Sequence, residues 1–129
     1  MPQTKNFNPA TDVKICCTCG LISCDKRSIN QATLDALQRV RDDYGRPMRI
    51  TSGGRCANHP SQRAKANPES GDHFAGRGVD IAVSSRQEYD KLALLAGRHG
   101  FNTIGDGLER GFIHLGRRDI GNAVVSWGY

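Results

Sequence analysis

No stretch of this chain is apolar for long enough to span a bilayer, so no transmembrane helix is expected. The opening MPQTKNFNPATD lacks the basic-then-apolar order of a secretory signal. The expectation is a soluble chain, cytoplasmic at synthesis, that meets any outside target after release or as part of a virion. Aromatic residues are scarce at 6%, and the Lys and Arg residues are scattered with no long run. A nucleic-acid surface, which interleaves basic and aromatic side chains, is therefore not expected, and neither is a membrane partner. Five cysteines are an odd number, which excludes a complete disulfide framework and leaves at least one thiol free or metal-bound. No internal repeat is present.

What is there suits one compact unit. A chain of 129 residues with 37% hydrophobic content can bury one core and has no room for a second. Residues 1–12 are polar, with Pro2 and Pro9, and read as a flexible or surface-draped arm; residues 13–129 read as the domain, expected to act as a monomer. The net charge of +5 favours anionic partners such as a cell-wall polymer.

Hydrophobic spacing places the elements. Val13-Lys14-Ile15-Cys16 alternates like a short strand and runs into a cysteine-rich turn. Cys16 and Cys19 have the Cys-x-x-Cys spacing of a zinc knuckle, but no second pair follows. Cys24 and Cys56 could complete a four-sulfur site or a disulfide, and a set of reduced thiols fits equally well. Ser28 or Asn30 caps a helix whose apolar positions Ile29, Leu34, Leu37, Val40 and Tyr44 share one face. Gly45 and Pro47 stop it. Met48–Thr51 is then a strand that delivers Ser52-Gly53-Gly54-Arg55 to a loop, and residues 57–72 form a long polar connection, functional or disordered.

Residues 79–83 read as a buried strand, and Ser84 or Ser85 opens a second helix with Tyr89, Leu92, Leu95 and Ala96 inside. Phe101–Ile104 and Phe112–Leu115 form a hairpin around a turn at Gly105-Asp106-Gly107, and Val124–Trp127 is an edge or final strand. This order gives an α+β domain with helices packed on a mainly antiparallel sheet.

Chemistry must come from few groups, since the chain has only four histidines. His73 and Asp80 stand at the entry to the 79–83 strand, where an unpaired carboxylate between Val79 and Ile81 would be costly. His114 is either a half-buried histidine bonded to backbone or a third ligand. Two imidazoles and a carboxylate with an open fourth position make a plausible zinc site.

At this point a resemblance emerges. Ser52-Gly53-Gly54-Arg55-Cys56, Asn58-His59-Pro60, His73-x-x-Gly76-x-Gly78-x-Asp80-Ile81 and Phe112-Ile113-His114 together resemble the M15 family of zinc peptidases, the D-Ala-D-Ala carboxypeptidases and phage peptidoglycan endopeptidases. Each motif is short; their order and separation are specific. The resemblance implies a zinc site of the type shared with the signalling domain of hedgehog proteins, with His73, Asp80 and His114 as ligands. It implies a peptidase acting on the peptidoglycan stem peptide, with zinc activating a bound water. It matches Arg55 to the arginine that binds a substrate carboxylate or the oxyanion, and places Ser52 and His59 beside it as substrate-binding residues.

Two positions depart from the family pattern. An acid three residues before the last histidine serves as general base in several members, and Gly111 stands there; many phage-type members carry an aspartate two residues after it, and Gly116 stands there. Glu109 and Asp106, in the expected hairpin turn, become the candidate bases, with Asp72 and His59 as further options. The competing reading is a non-catalytic zinc-stabilised binding or structural module, such as a virion or tail component.

Overall fold

The computed structural model describes residues 1–129. Helix α1 (Gln31–Tyr44) is followed by β1 (Ile50–Ser52), the short helix α2 (Pro60–Arg63), β2 (Gly78–Ala82), α3 (Arg86–Arg98), β3 (Thr103–Gly107), β4 (Phe112–Gly116) and β5 (Val125–Gly128). The strands form one sheet in the order β1-β2-β4-β3-β5, with every neighbouring pair antiparallel except β3 and β5. This is the expected α+β arrangement. No helix is long and apolar enough to cross a membrane.

Both long helices start and stop for local reasons. The Asn30 side chain accepts the Thr33 N–H at 2.8 Å, and Gly45 takes a left-handed φ of 69° at the other end of α1. Ser85 accepts the Glu88 N–H at the start of α3. Their buried stripes, Leu34, Leu37 and Val40 with Leu92, Leu95 and Ala96, join Val79, Ile81, Ile113 and Leu115 of the sheet in one core. Side chains alternate along a strand, so Asp80 and His114 project from the other face. The sheet is therefore apolar beneath the helices and polar opposite them.

Three expectations are corrected. Val13–Ile15 is a 3-10 turn, not a strand; only Cys16 pairs, as an isolated bridge with Ser28. Gly105-Asp106-Gly107 is part of β3, and the reversal is made by a 3-10 turn at Leu108–Arg110 closed by Gly111 at φ 86°. Gly105 and Gly107 are small because they face large neighbours: a β-carbon at Gly105 would lie 2.9 Å from His114 Cβ, and one at Gly107 would lie 2.4 Å from the Phe112 ring. Sequence alone reads such glycines as turn chemistry. Finally, residues 1–12 are the surface-draped arm and not the flexible one. Gln38 Oε1 accepts from Thr4 Oγ1 at 2.7 Å and from the Asn6 N–H at 2.8 Å, and Phe7 is 2% exposed within the core.

Phe7 thus fastens the amino-terminal strap. Replacing Phe7 with alanine is expected to cost about 3 kcal/mol of unfolding free energy, the usual penalty for emptying a buried aromatic site. Urea denaturation measures it, and a loss below about 1 kcal/mol would mean that the strap is not anchored there.

Candidate metal centre

The register of β2 against β4 sets Asp80 directly opposite His114, and β3 places Gly105 on the other side of that histidine. His73 arrives from the loop before β2. His114 Nδ1 is 2.9 Å from Asp80 Oδ1, and His73 Nε2 is 3.2 Å from the same oxygen. The three ligand atoms lie within 4.8 Å of one another, and all three residues are buried. A tetrahedral zinc site with bonds near 2.05 Å has edges of about 3.3 Å. The His73–Asp80 separation of 3.2 Å is close to such an edge, and the His114–Asp80 separation of 2.9 Å is shorter.

The orientation of each ring has a cause. The His73 Nδ1–H donates to the Gly53 carbonyl at 2.7 Å, which fixes the tautomer and leaves Nε2 with its lone pair toward Asp80. Burial lowers the pKa of His73, and the Asp80 carboxylate only partly offsets that, so the ring stays neutral. His114 is different. Burial would lower its pKa too, but Asp72 Oδ2 at 2.8 Å from Nε2 and Asp80 Oδ1 on Nδ1 outweigh it and raise the value. Burial would raise both carboxyls. The hydrogen bond from His114 holds Asp80 well below the usual carboxylate range, while His114 and Arg118 bring Asp72 to about 2.

Asp72 is itself clamped, accepting from Arg118 Nε at 2.9 Å and from its terminal nitrogen at 3.3 Å. The Arg118 guanidinium also lies 5.3 Å from the Trp127 ring centre, and that ring is 5.3 Å from the His114 ring. A chain of contacts from Trp127 through Arg118 and Asp72 to His114 therefore backs the donor set. Three glycines make room for it: β-carbons at Gly78, Gly105 and Gly116 would lie 2.5, 2.9 and 2.6 Å from Asp72 Cβ, His114 Cβ and Asp72 Oδ2 respectively.

Arg55 reaches the site from the loop after β1. Its Nε donates to Ser52 Oγ at 3.1 Å and one terminal nitrogen donates to Asp80 Oδ2 at 3.3 Å. His59 caps α2, its Nδ1 accepting the Ser61 N–H at 3.1 Å, which leaves the proton of the neutral ring on Nε2. Burial, together with the nearby charge of Arg55, lowers its pKa. The long 57–72 connection is ordered around Gln62, whose buried amide donates to the carbonyls of Pro68 and Ser70 at 2.8 and 2.7 Å.

The structure thus brings together His73, Asp80, His114, Arg55 and Ser52, with His59 close by. It does not bring Asp106 or Glu109 into that cluster. Asp106 pairs in register with Ile113, hence on the helix-covered face, and its carboxylate accepts from Arg86 at 3.0 Å. Glu109 lines a separate surface depression with Arg86, Asp106, Arg110 and Tyr129. Sequence reasoning missed Arg118, read Trp127 only as part of the closing strand, and placed Asp72 only as a loose option, its position beside His73 being the available signal.

Comparison with known proteins adds one finding. A family model described as peptidase M15 matches residues 5–116, a span that takes in every residue of the cluster. No curated protein and no solved structure matches the chain.

The carboxylates of Asp72 and Asp80 favour the protonated form of His114, and a metal ion at Nδ1 must displace a proton from that form. Metal binding at this site is therefore expected to weaken as the pH falls through the raised pKa of His114. Zinc affinity measured against pH in wild type and in His114→Ala checks it; an identical pH dependence in the two would show that His114 is not a ligand.

Proposed function

The chain belongs to the M15 peptidase family, and from that premise we propose that it is a zinc-dependent peptidase hydrolysing the stem peptide of peptidoglycan, as a D-Ala-D-Ala carboxypeptidase or an endolysin-like endopeptidase. The observation that carries this reading is the convergence of His73, Asp80 and His114 beside Arg55. Two imidazoles and one carboxylate fit zinc and leave an open position. The ion supplies Lewis acidity toward a carbonyl and toward water.

The protein's own groups do the rest. Arg55 spends two donors on Ser52 and Asp80, which orient it, while its other terminal nitrogen has no protein partner. That free edge suits a terminal carboxylate or a developing oxyanion. His59, kept neutral with its Nε2–H outward, donates a hydrogen bond to a substrate carbonyl. Asp72 holds His114 in place and is too heavily engaged to accept a proton. Glu109 is the acid we assign to proton transfer, over Asp106 whose carboxylate Arg86 holds; it lines a depression apart from the donor cluster and serves by the Leu108–Arg110 turn folding over the site. The net charge of +5 favours approach to an anionic wall. The protein acts as a monomer, after release from the cell or on a virion.

A second reading has one observation in its favour. Glu109 lies outside the donor cluster, as a non-catalytic zinc-stabilised binding module would allow.

Mass analysis of purified wall after incubation separates the two. The expected result is new stem-peptide fragments or free D-alanine, abolished by His73→Ala. Arg55→Met should lower kcat/KM by about 100-fold, and Glu109→Gln should lower kcat by at least about 100-fold and by more than Asp106→Asn does. Zinc-loaded protein that releases nothing from wall, stem peptide or dipeptide would leave the binding module as the surviving reading.

A further inference from the structure

Four of the five cysteines meet in space, three from one short loop and Cys56 from much further along the chain. Cys17, Cys19, Cys24 and Cys56 place their sulfurs within 4.8 Å of one another, and the Cys56 sulfur is 3.6 Å from those of both Cys17 and Cys19. Such a distance is too long for a disulfide, whose sulfurs are about 2.05 Å apart. It is close to the edge of about 3.8 Å of a tetrahedron with zinc–sulfur bonds near 2.3 Å. Cys16, which supplied the only Cys-x-x-Cys spacing, is not in the group.

The segment around the sulfurs is organised for them and for little else. From Cys17 to Lys26 the three cysteines are the only residues that are not exposed; Leu21 and Ile22 point to solvent. No apolar side chain anchors this loop. Lys26 is the one non-glycine residue with a positive φ, 52°, and in that conformation its N–H donates to Cys24 Sγ at 3.3 Å. A backbone donor aimed at sulfur from a strained residue suits a thiolate ligand.

We infer that Cys17, Cys19, Cys24 and Cys56 form a second metal site, a closed zinc tetrathiolate that clamps the 17–24 loop to the loop carrying Arg55. Four thiolates with no open position make it structural. Its reach is short: Cys56 follows Arg55 directly, and Gly54 N–H donates to the Ile15 carbonyl at 3.1 Å just before the cysteine loop. A β-carbon at Gly54 would lie 2.0 Å from the Arg27 carbonyl oxygen, so the two backbones are already in contact there.

Zinc analysis of protein purified under reducing conditions and without chelator tests the inference independently of the peptidase reading. Wild type is expected to hold two equivalents. His73→Ala should retain one, and X-ray absorption on that variant should read four sulfurs at about 2.3 Å. Cobalt added to it should give the intense visible bands and thiolate charge-transfer absorption of a tetrathiolate. Cys24→Ser should lose one equivalent, while Cys16→Ser keeps both. A His73→Ala protein with no zinc and no thiolate band with cobalt, or an intact mass showing cysteines joined as a disulfide, would overturn it. If instead the tetrathiolate persists and His73→Ala changes nothing, the second site stands and the first one fails.

Discussion

The register that sets Asp80 against His114 across β2 and β4 is the constraint on which the rest of the structure depends. Side chains alternate, so this pairing also sends Val79, Ile81, Ile113 and Leu115 into the core beneath the helices. A slip of one residue would expose that apolar set and bury two ionisable groups among the helices. Burial of the core and assembly of the donor set are thus the same choice of register. The hydrophobic face supplies the free energy that holds the polar face in a geometry it would not choose alone, with two carboxylates brought around one buried imidazole.

Periodicity made half of this visible in advance. The two amphipathic helices were legible because each carries a side-chain cap and a stripe at helical spacing, and the strand at Asp80 because a charge between Val79 and Ile81 demands a partner. His73, Asp80 and His114 were legible as an ordered set of ligand-type residues. The supporting contacts were not. Asp72 and Arg118 are 46 positions apart, and nothing local to either announces the other. Phe7 was hidden for a similar reason: a single aromatic in a polar stretch carries no period, and only its docking beside α1 gives it a role. Cysteine spacing misled in its own way, since the tight Cys16-x-x-Cys19 pair drew attention from Cys17, whose partner Cys56 lies 39 positions on.

Glycine links these misreadings to the chemistry. Gly105 and Gly107 look like a turn from sequence because glycine usually marks one, yet here they are strand positions kept bare for His114 and Phe112. The information they carry concerns the face of the sheet, not the path of the chain.

Gly116 extends that logic to a departure from the family pattern. The family resemblance read from the sequence implies an aspartate here in many phage-type members, two residues after the last histidine, and its absence reads from sequence as a lost acid. In the folded chain a β-carbon at Gly116 would fall 2.6 Å from Asp72 Oδ2 and 3.2 Å from His114 Nε2. The space a side chain would need is taken by a carboxylate delivered from the loop before β2. Asp72 therefore supplies beside His114 an acid that the local sequence lacks, and it does so with Arg118 holding both of its oxygens. The glycine at 116 is a condition for that substitution: with any larger residue there, Asp72 could not reach the ring, and His114 would face Asp80 without a second carboxylate to fix its tilt. No such exchange exists at Gly111, whose β-carbon position has only the Val83 carbonyl oxygen nearby, at 4.0 Å. The two departures are thus unequal. One is filled from elsewhere in the fold, and the other leaves the question of proton transfer with Glu109, in the turn just before it.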